Sequence, residues 1–393
     1  MRKPLAFAPA FLVLGAFLGS SLAKAADPPP LPTITVAGAL ADETAQMKAR
    51  LLFWVNLVRD AKSDANVLYA RDWMVADYKK MAEKEAGYAF AEQAAAVAAP
   101  VLAKGFGADP LGKVKETALA TALSQMPQPT IQPALEAMVQ CDRNAAVRYF
   151  GWKGYRDARL RILGQGLSAT QTALASTEKA AKNETSPAVL EQLFRMMELD
   201  AVRPDRVTPE TWDLAQKRIL AALNGAWIGW CRRAMAGPDE SNELIAEACF
   251  WAVRAARSQV ERAVQDKDQK KLILQMLVDM AYAAAKGYAQ AAAAGRPTDA
   301  YASLLTACDE ALNKAAGAKK DFVQKALNSK KLAGNPDVLL FGMDEDTKEP
   351  MGALAWVELL KDLGVVSPSR TLQPPTTTSA PAGGTATRPI AVP

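Results

Sequence analysis

Proline placement constrains the fold of this chain more than any other feature of its sequence. Of the 24 prolines among 393 residues, six precede residue 39 and six follow residue 366. Proline lacks a backbone N–H and clashes with the preceding helical turn, so it favours helix starts and loops over helix interiors. The twelve interior prolines therefore predict where helices start or stop. They lie at positions 100, 110, 127, 129, 133, 187, 204, 209, 238, 297, 336 and 350.

Apolar residues between those prolines recur at helical spacing. Met47, Leu51, Val55 and Val58 follow one another at steps of four, four and three, which is one stripe of an α-helix. Similar stripes occupy residues 190–199 and 272–284, and no convincing run of alternating β-branched residues suggests a sheet. The sequence predicts an all-α fold. It is either a helical-hairpin repeat array of the α-solenoid kind, or a closed helical bundle or α/α toroid.

One stretch carries a family resemblance. A turn containing Asp142 precedes Val147-Arg148, and the small residues Gly151 and Gly154 follow toward the end of that segment. This order resembles a unit of the HEAT-repeat family, and weaker echoes extend the resemblance over residues 130 to 225. It implies stacked helical hairpins with a concave protein-binding surface, and it implies no chemistry.

The N-terminus has the pattern of a secretory signal peptide. Arg2 and Lys3 precede an apolar stretch, and Ala23-Lys24-Ala25 has the small-x-small pattern of a cleavage site. We expect cleavage near Ala25 and export to a periplasmic or extracellular space. An uncleaved membrane anchor is the alternative, and no later segment is apolar for long enough to span a bilayer.

Composition shifts divide the chain into five predicted regions. They are a signal peptide at 1–25, an extended Pro-rich leader at 26–38, an Ala-rich helical region at 39–126, a HEAT-like helical repeat region at 127–366, and a disordered Thr/Pro-rich tail at 367–393.

The absence of histidine excludes much chemistry. Ser-His-Asp and Cys-His catalysis and histidine-ligated metals all need a residue that the chain lacks. Removing residues 1–25 also removes three basic side chains, so the formal charge of +5 becomes 5 − 3 = +2. A near-neutral mature chain gives little support to a polyanion partner, and we expect no nucleic acid partner.

The four cysteines are widely spaced. Cys141, Cys231, Cys249 and Cys308 form no C-x-x-C pair, so their spacing does not indicate a zinc site. Each lies in a helical pattern among apolar neighbours, which favours buried free thiols. An oxidising compartment keeps the alternative of at least one disulfide open, with no pairing assigned.

Three short segments imitate functional motifs without completing them. Residues 107–114 resemble a phosphate-binding loop but end in Val114, where a hydroxyl should hold magnesium. Residues 164–169 imitate a dinucleotide fingerprint without a preceding strand, and the acidic run at 344–349 lacks the glycine turn of a calcium loop. We therefore predict no cofactor, no metal and no catalytic residue.

The densest basic and aromatic segment supplies the candidate binding face. Arg148, Trp152, Arg156 and Arg159 fall near one face of a single helix. Such a face is suited to an acidic partner helix, an anionic glycan or lipid head groups. In the alternative, the arginines pair with carboxylates of the adjacent hairpin while the aromatic residues lie in the core.

These features favour a non-enzymatic, exported scaffold that binds another envelope or extracellular protein through a concave helical face. One alternative is a helical-toroid enzyme that acts on glycans with carboxylates alone, and it predicts Trp227 and Trp230 in a central cleft. Another is a structural component of the envelope.

Overall fold

A computed structural model describes residues 27–34, 41–200, 202–263, 267–366 and 372. Most of these residues are helical and almost none lie in strands, which confirms the all-α prediction. The one sheet among them is a two-stranded antiparallel hairpin of β1 (Gly342–Met343) and β2 (Pro350–Met351). The predicted signal peptide lies outside the described residues. So do the ends of the leader and, apart from Leu372, the predicted tail.

The helices follow one another with short connections. In the first half they are α1 (Ala41–Asp60), α2 (Asp64–Glu83), α3 (Gly87–Lys104), α4 (Gly112–Ser124), α5 (Gln132–Val139), α6 (Ala145–Leu163), α7 (Leu167–Ala175) and α8 (Thr177–Asn183). In the second half they are α9 (Pro187–Met197), α10 (Pro209–Ala234), α11 (Glu240–Ala263), α12 (Lys267–Ala293), α13 (Asp299–Ala316), α14 (Phe322–Leu327) and α15 (Ala355–Leu360). Short 3₁₀ turns span Pro129–Ile131, Pro336–Leu339 and Lys361–Leu363.

Most of these boundaries agree with the proline positions, but one does not. Pro187 and Pro209 open α9 and α10, where a missing N–H costs nothing. Pro100, by contrast, lies inside α3 near its end. The expectation that the interior prolines mark helix ends is wrong there. Because Pro100 has no N–H, the Ala96 carbonyl one turn earlier lacks its usual helical donor.

The helices pack in two series. In one, α1 contacts α3 and α3 contacts α5, and farther along α10 contacts α7, α8 and α12. In the other, α2, α4, α6, α9, α11 and α13 each contact the next member. Consecutive helices such as α1 and α2, or α12 and α13, join the two series. Most of the longer helices thus contact several others, and α3 and α4 pack on α5 and α6 across the predicted boundary at residue 126.

The predicted apolar stripes form the core. Met47, Leu51, Val55 and Val58 are all buried on α1, and Met276 and Met280 are buried on α12. Each stripe faces the helices that contact it, so burial of apolar surface stabilises both series together.

The two glycines of the HEAT-like segment allow a close helix approach. A Cβ at Gly154 would lie 2.5 Å from Cδ2 of Leu135, and one at Gly151 would lie 2.8 Å from Cγ1 of Val139. Real Cβ atoms essentially never lie so close, so a side chain at Gly154 would displace the tip of Leu135, and one at Gly151 would also press on the backbone of α5 at Val139. This confirms the close approach that the sequence predicts.

Candidate functional site

Arg148 on α6 is engaged within the chain. Its guanidinium donates from Nε to Oε2 of Glu184 at 2.7 Å and from Nη2 to Oε1 at 3.0 Å, and Nη1 donates to the Cys141 carbonyl at 2.8 Å. Glu184 raises the pKa of Arg148. Burial disfavours ionisation of Glu184, yet hydrogen bonds from Arg148 and the Ser186 N–H hold its pKa below the usual value. The pair therefore joins α6 to the segment between α8 and α9.

The other members of the predicted face also contact neighbouring helices. Trp152 is fully buried, and its indole N–H has no partner among the described residues. Arg156 donates to Oε1 of Gln192 on α9 at 2.9 Å. Arg159 donates to three carbonyls at the end of α9, including that of Met196 at 3.0 Å, where a cation also complements the helix dipole. All three arginines of this face thus donate to groups within the chain, and a partner-binding role for the face stays a prediction.

Trp227 and Trp230 lie in the core. Trp227 donates to Oδ2 of the buried Asp279 at 3.1 Å, and Trp230 donates to the Ala181 carbonyl at 2.9 Å. Both indoles are less than a tenth exposed. They stabilise the contacts of α10 with α12 and α8, and they line none of the larger grooves between the described helices.

The motif-like segments have structural roles. Lys115 is buried and donates to Oδ2 of Asp109 at 2.6 Å and to the Arg59 carbonyl at 2.8 Å, which fixes the loop before α4. Gly166 adopts a φ of 98° in the turn between α6 and α7. In the described part of the chain, no three acidic or cysteine side chains are grouped closely enough to hold a metal ion.

All four cysteines are buried free thiols, as the favoured interpretation predicts. Burial raises the pKa of Cys249 to about 12 and raises the pKa of Cys231 and Cys308 well above the usual thiol value. A thiol must ionise to act as a nucleophile, so Cys231, Cys249 and Cys308 behave as apolar core residues. Within the helices that the structure describes, none is long and apolar enough for a membrane span.

The described helices also enclose a groove that the sequence did not predict. It has a volume of about 1260 Å³ and lies between α3, α5 and α7. We call it the α3–α5–α7 groove. Its walls consist mostly of small or apolar side chains, namely Ala95, Ala96, Ala99, Pro100, Ala103, Pro133, Ala137, Ser168 and Ala169.

Glu136 places a carboxylate within this groove. Its Oε1 accepts a hydrogen bond from Ser176 at 2.7 Å and another from Gln140, and its Oε2 accepts one from Tyr155 at 2.9 Å. Burial, reinforced by the nearby charge of Glu136, raises the pKa of Tyr155 well above its usual value. Tyr155 therefore remains a neutral donor that fixes the carboxylate in place.

No cation among the described residues forms an ion pair with Glu136 or with Glu92, the second acid that lines the groove. Arg143 lies at one end of the groove, but it donates to Glu116 at 2.7 Å and to the carbonyls of Leu102 and Ala103. The groove thus combines an apolar lining with two carboxylates that no described cation neutralises.

A sequence signal for the groove does exist. The Ala-rich α3 repeats alanines on one face at 96, 99 and 103, and prolines cluster at 129 and 133. Small residues leave room where large ones would fill it.

No family model, no curated protein and no solved structure matches this chain.

Proposed function

We propose that this protein is an exported, non-enzymatic helical-repeat scaffold of the α-solenoid kind. The two packing series support this arrangement, because stacked helical hairpins contact their next neighbours within each series. The predicted signal peptide at 1–25 supports export. In this proposal the α3–α5–α7 groove is the site that binds a segment of another protein.

The size and lining of the groove favour a peptide segment. Small-molecule pockets have volumes of about 300–1,000 Å³, and this groove is larger and partly open to solvent. Because the lining consists mostly of the short side chains of alanine, serine and proline, the backbone of a bound segment approaches the helices closely. A segment of small apolar side chains fits such a surface better than a bulky aromatic anchor does.

The charge of the groove further restricts which segments of a partner could bind. Glu136 is held by Tyr155, Ser176 and Gln140, which are neutral donors, so its negative charge stays available to a ligand. A lysine or arginine within the bound segment would form a charge-assisted hydrogen bond with this carboxylate. We therefore propose a partner segment that is apolar, small in its side chains and carries one cation.

Site-specific photocrosslinking in the native cells tests this function. A p-benzoylphenylalanine replaces Ala96, which is exposed in the groove, or Ala49, which is exposed on α1 outside it. We expect one protein to crosslink reproducibly from position 96 and not from position 49. The Glu136→Gln variant should reduce that crosslink about tenfold, because a charge-assisted hydrogen bond contributes roughly 1.5–3 kcal/mol.

Crosslinks of equal yield from both positions would overturn the groove as the binding site. So would a crosslink that Glu136→Gln leaves unchanged in a folded variant. The amide oxygen of the substituted side chain replaces only one of the two carboxylate oxygens to which Tyr155 and Ser176 donate, and the other hydroxyl must accept from the amide NH2 instead. An unchanged thermal midpoint of unfolding is therefore the control for folding.

A further inference from the structure

We propose that the chain's own segment 388–393 occupies the α3–α5–α7 groove when no partner is bound. The segment reads Arg-Pro-Ile-Ala-Val-Pro and lies outside the described residues. This inference rests on the proposed function, since it names a resident occupant of the same groove. It makes the groove an autoinhibited site from which a partner must displace the tail.

The chemistry of the segment complements that of the groove. Arg388 is the only charged side chain in residues 373–393, so this part of the chain brings one basic side chain and no acidic one. Small and medium apolar side chains follow it directly, namely Pro389, Ile390, Ala391, Val392 and Pro393. The groove offers the matching pattern of low apolar walls beside the carboxylate of Glu136. Oε1 of Glu136 already accepts two hydrogen bonds and Oε2 accepts one, so Arg388 is suited to a single charge-assisted hydrogen bond with Oε2.

Backbone hydrogen bonding adds a second match. Prolines 389 and 393 need no acceptor for a backbone N–H, and they favour an extended conformation that loses little entropy on binding. On the groove wall, Pro100 deprives the Ala96 carbonyl of its helical donor. A backbone N–H of the segment, such as that of Ile390 or Val392, would donate the hydrogen bond that this carbonyl lacks.

The chain is long enough to make the contact. The last described residue, Leu372, is buried, and Val366 shortly before it exchanges hydrogen bonds with Gln275 on α12. α12 packs on α10 and α10 packs on α7, so two helix packings of about 10 Å each separate α12 from α7, and an offset along α12 adds up to about 40 Å. The 388 − 372 = 16 residues to Arg388 span about 53 Å when extended.

Intramolecular photocrosslinking of the purified protein tests the proposal. The mature full chain carries p-benzoylphenylalanine at position 96 or, as the matched control, at position 49. Trypsin cleaves after Arg370 but not at the Arg388-Pro389 bond, so the tail is recovered as the single peptide 371–393. Mass spectrometry then measures how much of this peptide is crosslinked to α3 and how much to α1.

We expect the tail peptide to crosslink from position 96 at about ten times the yield from position 49. Arg388→Gln and Glu136→Gln should each reduce the yield about tenfold, and combining them should reduce it little further, because both remove the same ion pair. Equal yields from both positions would overturn the proposal, as would a yield that neither substitution changes.

Isotope labelling separates the tail of the same chain from that of a second copy. Equal amounts of ¹⁵N-labelled and unlabelled protein are mixed before irradiation, and crosslinks confined to one label support the proposal. Crosslinks that join the two labels would overturn it in favour of a second copy. If position 96 crosslinks another protein in cells while the tail peptide never crosslinks, this inference fails and the proposed function stands. If neither crosslink forms, both fail.

Discussion

The N-terminal end and the C-terminal end of the described chain each hold a buried tryptophan by a hydrogen bond to a buried aspartate, but they compensate the aspartate charge differently. Near the N-terminus, Trp54 on α1 donates its indole N–H to Oδ2 of Asp77 on α2 at 2.7 Å. Near the C-terminus, Trp356 on α15 donates to Oδ1 of Asp309 on α13, also at 2.7 Å. Both indoles and both aspartates are buried, so each bond joins two helices inside the core.

The difference is a cation. Arg50 donates to both carboxylate oxygens of Asp77, at 2.5 and 3.0 Å, and also to the Pro29 carbonyl of the leader. No described cation lies within ion-pair distance of Asp309. Apart from Trp356, its carboxylate accepts hydrogen bonds from backbone N–H groups, and the one from Val323 to Oδ1 is 3.4 Å long. Burial accordingly raises the pKa of Asp309 to about 6, although the bond from Trp356 opposes the rise. At the N-terminal end, Arg50 compensates the buried charge of Asp77 with an ion pair. At the C-terminal end, burial instead favours the protonated, uncharged form of Asp309.

Removing the cation at the N-terminal end should have the largest effect. Arg50→Met leaves Asp77, which is fully buried, without its charge partner. Breaking a buried ion pair from one side costs about 3–5 kcal/mol, so we expect a loss of that size in the free energy of unfolding. Urea denaturation followed by circular dichroism measures it, and the contact with Pro29 should be lost as well.

The double variant Arg50→Met with Asp77→Asn separates charge from packing. It removes both charges, so most of the lost stability should return, leaving a deficit of about 1–2 kcal/mol. If the single and double variants lose the same amount, packing of the Arg50 side chain matters more than its charge. The contrast between the two ends would then have no electrostatic basis.

The local elements of both ends are predictable from sequence. The stripe from Met47 to Val58 places α1 and its buried face, and the glycines at 151 and 154 indicate where two helices approach closely. Such signals depend on spacing within one helix, which a sequence displays directly. The all-α fold follows from them.

The long-range pairs are not predictable in the same way. Nothing in the spacing assigns Arg148 to Glu184, which lies 36 residues away, or Ser176 to Glu136, which lies 40 residues away. Partner choice depends on which helices stack, and several carboxylates compete equally in the sequence. The groove escapes prediction for a related reason: the small residues of α3 indicate room beside that helix, but which helices enclose the space depends on how α3, α5 and α7 pack.

The pH dependence of stability should distinguish the C-terminal end. The pKa of Asp309 is about 6 in the folded chain and near 3.8 when unfolded, so folding favours its protonated form. Its contribution to the free energy of unfolding is therefore greatest below pH 3.8 and falls as the pH rises to about 6. The swing is at most about 3 kcal/mol, since each pKa unit corresponds to about 1.4 kcal/mol.

Asp309→Asn isolates this contribution, because other carboxylates change stability in both proteins equally. Relative to the variant, the natural protein should lose up to about 3 kcal/mol between about pH 4 and pH 7 and should then stay level. Urea titrations at half-unit pH intervals give the difference curve. A flat difference curve would mean that Asp309 ionises as easily in the folded chain as in the unfolded one.

The smallest expected effect on stability comes from replacing each of the two tryptophans by phenylalanine. Because the same substitution is made at both ends, it compares them most directly. Trp54→Phe and Trp356→Phe each remove an indole N–H and leave a similar cavity. Asp77 keeps both bonds from Arg50, whereas Asp309 keeps only weaker backbone bonds. At about pH 8 we therefore expect Trp356→Phe to cost about 1 kcal/mol more than Trp54→Phe. At about pH 4.5 Asp309 is mostly protonated and needs the indole less, so the two costs should converge. Equal costs at both pH values would show that the cation at Asp77 is not what distinguishes the two ends.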